Sequence, residues 1–99
     1  MQSNEVALTG ELTALEPLRY TPAGVPLSGF RLLHRSQQVE GGRERQVECE
    51  LPGIAMAQVA LDMARLNAGH AVRIRGFLNR KNRMSAQIVL HATSLEPLG

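Results

Sequence analysis

The sequence predicts an all-β fold with one helix, built as a small five-stranded barrel. Three observations carry this. Apolar residues alternate at period two in five separate segments. One segment alone shifts to helical spacing. The resulting order, β-β-β-α-β-β, is that of the oligonucleotide/oligosaccharide-binding (OB) barrel, although a plain α+β sandwich fits the same order. The chain has 99 residues, 43% hydrophobic and 20% charged, with no repeat and no linker. Residues 1–99 are therefore expected to form a single OB-fold domain.

Segment 5–15 puts Val6, Leu8, Leu12 and Ala14 on one face and Glu5, Thr9, Glu11 and Thr13 on the other. Gly10 in its middle predicts a bulge or a tight bend. The Thr21–Gly24 turn and Pro26 end the first strand region. Segment 27–38 places Phe30, Leu32 and His34 inward and Arg31, Leu33 and Arg35 outward. Gly41-Gly42 then predicts a hairpin or a longer loop. Segment 45–51 has the cleanest alternation, with Val47, Cys49 and Leu51 inward. Segment 54–66 is the helix, because Met56, Val59, Ala60 and Met63 recur at helical spacing and alanine is frequent. Asn67 and Gly69 supply its stop. Segment 70–78 sets Val72, Ile74 and Leu78 against Arg73, Arg75 and Phe77, with a second bend at Gly76. Segment 84–95 closes the series with Ala86, Ile88 and Leu90 on one face. The expected barrel interior is Val6, Leu8, Phe30, Leu32, Val47, Cys49, Leu51, Val72, Ile74, Ile88 and Leu90.

Composition excludes several function classes. One cysteine, Cys49, cannot make an intramolecular disulfide and suits a reducing compartment. No apolar run approaches the ~18–20 residues of a membrane span, and the N-terminus lacks a signal-peptide pattern. A cytoplasmic protein with no membrane partner is expected. The chain has a single aspartate, Asp62, and three dispersed histidines, His34, His70 and His91. No nucleophile elbow, zinc-protease motif or phosphate loop is present. No enzyme activity, metal or cofactor is expected.

Charge is the informative quantity. The net charge is +2, yet residues 67–99 carry Arg73, Arg75, Arg80, Lys81 and Arg83 against Glu96 alone. Arg80-Lys81-Asn82-Arg83 puts three cations on the loop between the last two strands. In the OB barrel, this loop and the face of the second and third strands form the binding groove. Arg19, Arg35, Arg43 and Arg45 are expected near the same groove. Together these seven residues are the candidate nucleic-acid contacts. Arginine rather than lysine suits forked phosphate contacts; it is equally what a GC-rich genome would supply. Tyr20 is placed either to stack on a base or to cover a barrel mouth.

Several stretches in order resemble the primosomal replication protein N (PriB) family. They are Leu8-Thr9-Gly10, Pro22 to Pro26, Phe30, Leu33 to Ser36, Arg45-Gln46, Cys49, Leu51-Pro52, Gly76-Phe77-Leu78 and Val89 to Ala92. The resemblance covers nearly the whole chain. It implies an OB barrel assembled as a homodimer, single-stranded DNA binding, and work at stalled bacterial replication forks without catalysis. It also implies that the protein bridges DNA and the PriA helicase, stimulates that helicase, and promotes helicase loading through DnaT. The family's basic positions fall on Arg19, Arg35 and Arg45, and its basic loop on Arg80, Lys81 and Arg83. Two of its aromatic stacking positions fall on Arg43 and Glu48. Each missing platform removes ~1–3 kcal/mol of stacking per base. DNA binding weaker than the family's, resting more on phosphate contacts, is therefore expected. The competing reading is a protein-interaction module with only weak DNA binding.

Overall fold

The computed structural model describes residues 2–99, and all five predicted strands are present. They are β1 (Val6–Leu15), β3 (Pro26–Glu40), β4 (Arg43–Met56), β5 (Ala71–Arg80) and β6 (Ile88–Leu98). A sixth, β2 (Arg19–Tyr20), is only two residues long and pairs with the start of β3. One helix, α1 (Gln58–Met63), lies between β4 and β5.

The barrel closes because β1 pairs twice. Its first half runs antiparallel to β5, from Val6 opposite Gly76 to Glu11 opposite Ala71. Its second half runs antiparallel to β3, from Glu11 opposite Leu33 to Leu15 opposite Phe30. The circuit continues through β3–β4, a short parallel β4–β6 pairing at Gly53–Ala55, and β6–β5. The barrel is thus closed, and the edges of its body are paired within the chain.

Two irregularities produce the coiling. The β1–β3 register shifts between Leu12 and Ala14, which turns Ala14 outward and Leu15 partly inward. Gly10, the expected bulge position, sits one turn of the pleat before it. The β5–β6 register shifts at Gly76, as expected for a second bend. A side chain there would collide with the His91 carbonyl, so only glycine allows this approach. Thr93 is the extra residue on β6, and its hydroxyl donates to the Arg75 carbonyl at 3.2 Å.

The core is Leu12, Phe30, Leu32, Ala55, Val72, Ile74, Leu90 and Ala92, capped by Ala60 and Met63 of α1. Phe30, Leu32, Val72, Ile74 and Leu90 are where alternation places them. Val6, Leu8 and Leu51 are half-buried. Cys49, expected inside, is exposed. Ile88, also expected inside, is 46% exposed, while its neighbour Val89 is buried. Ile88 lies on the inward parity but opposite Arg80, at the far end of β6, past the barrel mouth. The helix is shorter than its predicted 54–66. Ile54 and Ala55 stay in β4 because they pair with His91 and Ala92 of β6. The chain turns at Ala57 (φ 58°) and only then becomes helical.

β3 and β4 run far beyond the barrel. They form fourteen consecutive pairs, from Leu27 opposite Met56 to Glu40 opposite Arg43. Gly41 and Gly42 both take positive φ, the two-residue turn whose twist matches paired strands. From Arg35 to Glu50 no residue is buried. The result is a two-stranded arm on a molecule measuring 50 × 35 × 24 Å. At its root, His34 is buried, with Nδ1 2.8 Å from the Thr9 carbonyl and Nε2 2.8 Å from Ser36 Oγ. The carbonyl can only accept, so Nδ1 carries a hydrogen and donates it to Thr9.

Candidate nucleic-acid interface

A groove of about 350 Å³ opens on the outer face of β3, β4 and β6. Alternation builds its floor. Gly29 and Arg31 of β3 lie opposite Ile54 and Pro52 of β4, and Ile54 lies opposite His91 of β6. These residues share the outward parity, while Phe30, Gly53 and Leu90 take the inward one. One wall is the β1–β3 connection with Glu16 and Arg19; the other is the β5–β6 loop with Lys81 and Gln87. The wall at Glu16 is fixed by its own backbone. Its N–H donates to the Gly29 carbonyl at 2.9 Å, and the buried Ser28 hydroxyl donates to its carbonyl at 3.3 Å. At the far end His91 stacks on the ring of Phe77, with centroids 4.9 Å apart and planes 8° apart.

The seven candidate residues divide into three groups. Arg19 and Lys81 line the groove directly. Arg80 and Arg83 share the loop with Lys81 and are exposed; the Arg80 guanidinium donates to the Arg83 carbonyl at 3.4 Å. Arg35, Arg43 and Arg45 are on the arm. Arg35 continues the groove face of β3, but its guanidinium pairs with Glu48 directly across the ladder at 3.2 Å. Arg43 and Arg45 occupy the opposite face, because their partners in register are Glu40 and Gln38. Arg45 pairs with Glu40 at 3.4 Å. The structure therefore brings Arg19 together with the β5–β6 loop, and sets Arg43 and Arg45 apart from both.

Electrostatically the groups differ. Arg19, Arg43, Arg80, Lys81 and Arg83 have no ion-pair partner among the described residues. Arg35 and Arg45 are already matched by carboxylates. Sequence reasoning missed Arg31, which lines the groove and pairs with Glu50. Its signal was available, since it shares the parity of Arg35. Also missed were the apolar floor at Pro52 and Ile54, which requires knowing that β4 and β6 are neighbours, and the His91–Phe77 stack, which requires the register of β5 on β6. Among the described residues, no three of His, Cys, Asp and Glu converge as a metal site, and no helix is long and apolar enough to cross a membrane.

A cationic-walled cleft with an apolar floor can hold a chain that is charged on one side and flat and apolar on the other. A single nucleic-acid strand has that character.

Known proteins converge on the same architecture. Residues 4–94 match the family model described as another single-strand binding protein family. The replication restart protein PriB of Nitrosomonas europaea is 44% identical over 88 residues, covering 89% of this chain and 82% of that protein. PriB of Photorhabdus laumondii is 33% identical over 100 residues, covering 97% and 94%. Among solved structures, PriB of Ralstonia solanacearum superposes with a TM-score of 0.90 at 32% identity, covering 99% and 100%. The single-stranded DNA binding protein of Thermus aquaticus superposes with a TM-score of 0.78 at 26% identity, covering 98% of this chain and 50% of that one.

Proposed function

The chain belongs to the replication restart protein PriB family, and from that premise we propose that it is a single-stranded DNA-binding accessory protein of replication restart. The observation that carries the proposal is the groove between Arg19 and the Arg80–Arg83 loop, with its apolar floor at Pro52 and Ile54. The phosphates run along the walls, where Arg19, Arg80, Lys81 and Arg83 displace condensed counterions. The bases face the floor, which offers them van der Waals contact and one stacked aromatic pair, His91 on Phe77. The arm contributes less, because Arg35 must leave Glu48 and Arg45 must leave Glu40 before either meets a phosphate. Binding is consequently weighted toward phosphate contacts and is steeply salt-dependent.

In this reading residues 1–99 act as one domain in the bacterial cytoplasm at stalled forks. The protein binds and stimulates the PriA helicase, promotes helicase loading with DnaT as a further partner, and works as a homodimer. The chain's fold closes its own barrel, so dimerisation must use the outward surfaces or the free edges of the arm. Sedimentation at micromolar concentration is expected to give twice the 10.8 kDa chain mass. A clean monomer across that range removes the dimer from the proposal.

The second reading, a protein-interaction module with weak DNA binding, is favoured by the arm, where Glu48 and Glu40 neutralise two of the three cations. One experiment separates the two. A fluorescent oligonucleotide is titrated at two salt concentrations with the parent protein and with the Arg80→Ala, Lys81→Ala, Arg83→Ala triple variant. The single-strand reading expects weaker binding for every sequence and a flatter salt dependence. The log–log slope falls by about 0.7 for each phosphate that the variant no longer neutralises. Base preference stays unchanged. An unchanged affinity and slope would make the loop a solvated turn and move the function toward the protein partners.

A further inference from the structure

Glu16 does not belong in a simple phosphate trough. Its carboxylate lines the groove in company with Arg19, Arg31 and Lys81, and it has no ion-pair partner among the described residues. The backbone on either side gives it little freedom, being tied to Gly29 and Ser28. The side chain lies over Gly29, whose missing Cβ makes room for it; a Cβ at that position would overlap the carboxylate. An anion held over the floor repels a phosphate placed there and accepts hydrogen bonds from any neutral donor placed there.

We propose that Glu16 is a specificity-determining residue that reads the exocyclic amino group of a base lying over Pro52 and Ile54, so that the groove favours cytosine over thymine. The inference rests on the single-strand reading above and deepens it. Phosphates are confined to the rims at Arg19 and Lys81, because the floor beside Gly29 carries a negative charge. That confinement turns the bases inward, onto Pro52 and Ile54. A base edge then meets the carboxylate. Cytosine presents an amino donor at that edge, and a carboxylate accepting from it is an established pairing chemistry. Thymine presents a carbonyl at the same place, and two acceptors face each other without a hydrogen. The discrimination is that of one hydrogen bond, about fivefold.

The test uses the full chain and two probes, oligodeoxycytidine and oligothymidine of equal length, in mildly alkaline buffer so that cytosine is unprotonated. Affinities are measured for the parent protein, Glu16→Gln and Glu16→Ala. The parent is expected to bind the cytosine probe about fivefold more tightly. Glu16→Ala is expected to bring the ratio to about one while raising affinity for thymine, since a repulsive charge is gone. Glu16→Gln is expected to keep part of the ratio, because its amide oxygen still accepts. Equal parental affinities for the two probes, or a ratio that survives Glu16→Ala, overturns the inference while leaving the single-strand reading intact. A uniform gain for both probes in both variants also overturns it, reducing Glu16 to a charge that weakens all binding. Failure of the parent to bind either probe overturns the single-strand reading, and the inference with it.

Discussion

β3 and β4 are one continuous ladder, yet its two halves behave as different materials. In the barrel half, Ser28, Gly29, Phe30, Leu32, His34, Gly53 and Ala55 are all buried. In the arm half the same period-two alternation continues without interruption, and only Ser36 and Val47 are even half-buried. The hydrogen-bond ladder is the same in both. What differs is whether another layer covers the inward face: β1, β5, β6 and α1 cover the barrel half, and none of them reaches the arm. The charges follow the same division. On the arm, Arg35 and Arg45 are neutralised by Glu48 and Glu40, and Arg43 alone has no ion-pair partner among the described residues. Around the groove, Arg31 is paired with Glu50, while Arg19, Arg80, Lys81 and Arg83 stand without carboxylate partners among the described residues. Strand pairing sets the shape of this protein, and coverage decides which of its residues hold the fold and which meet a ligand.

The sharpest way to break this contrast is to compare two residues that alternation alone ranks as equals. Ile74 and Cys49 both occupy inward positions of their strands. Ile74 is fully buried among the core residues, whereas Cys49 is exposed on the arm side of the ladder. Ile74→Ala is expected to lower the unfolding free energy by about 2–5 kcal/mol, through the forfeited transfer energy and a residual cavity. Cys49→Ala is expected to change it by about 0.5 kcal/mol or less. Urea unfolding of both variants, with unchanged m-values, checks the pair. A large loss of stability at Cys49 would mean that something covers that face in solution, and the partner protomer would be the first place to look.

The same pair shows how much is legible in the sequence. The five barrel strands, the helix's place in their order and the central core are readable, because Phe30, Leu32, Val72, Ile74 and Leu90 obey period two and lie inside the barrel. Cys49 obeys the same period and is exposed, because alternation records parity and is silent about coverage. Ile88 fails for the same reason at the other end of the barrel. The early start expected for the helix has a different cause. Ile54 and Ala55 look like the lead-in to an alanine-rich helix, and only the distant His91 and Ala92 hold them in a strand. At the site, Arg19 and Lys81 are legible through strand order. The separation of Arg35 from Arg43 and Arg45 follows from the two-residue Gly41-Gly42 turn, which pairs Glu40 with Arg43 and so fixes every parity on β4. The glycine pair by itself fits a tight hairpin or a longer loop, and one residue more or less would reverse the faces.

The smallest effect expected concerns the arm's own charges. Arg35 and Glu48 lie directly opposite and pair at 3.2 Å, with side chains 65% and 63% exposed. Water screens such a pair, and holding two long side chains in one geometry costs entropy, so exposed pairs contribute about 0.2–1 kcal/mol. A double-mutant cycle with Arg35→Ala and Glu48→Ala is expected to give a coupling near the lower end of that range at low salt, fading as salt is added. The consequence for DNA is more informative than the energy itself. If the arm is a neutralised ribbon, Arg35→Ala leaves oligonucleotide affinity and its salt slope almost unchanged. Glu48→Gln, by contrast, releases the guanidinium for a phosphate and steepens the slope by up to about 0.7. A drop in affinity on Arg35→Ala in the parent background would show that phosphate already outcompetes Glu48. The arm would then be an extension of the groove, and the division between the two regions would hold for stability alone.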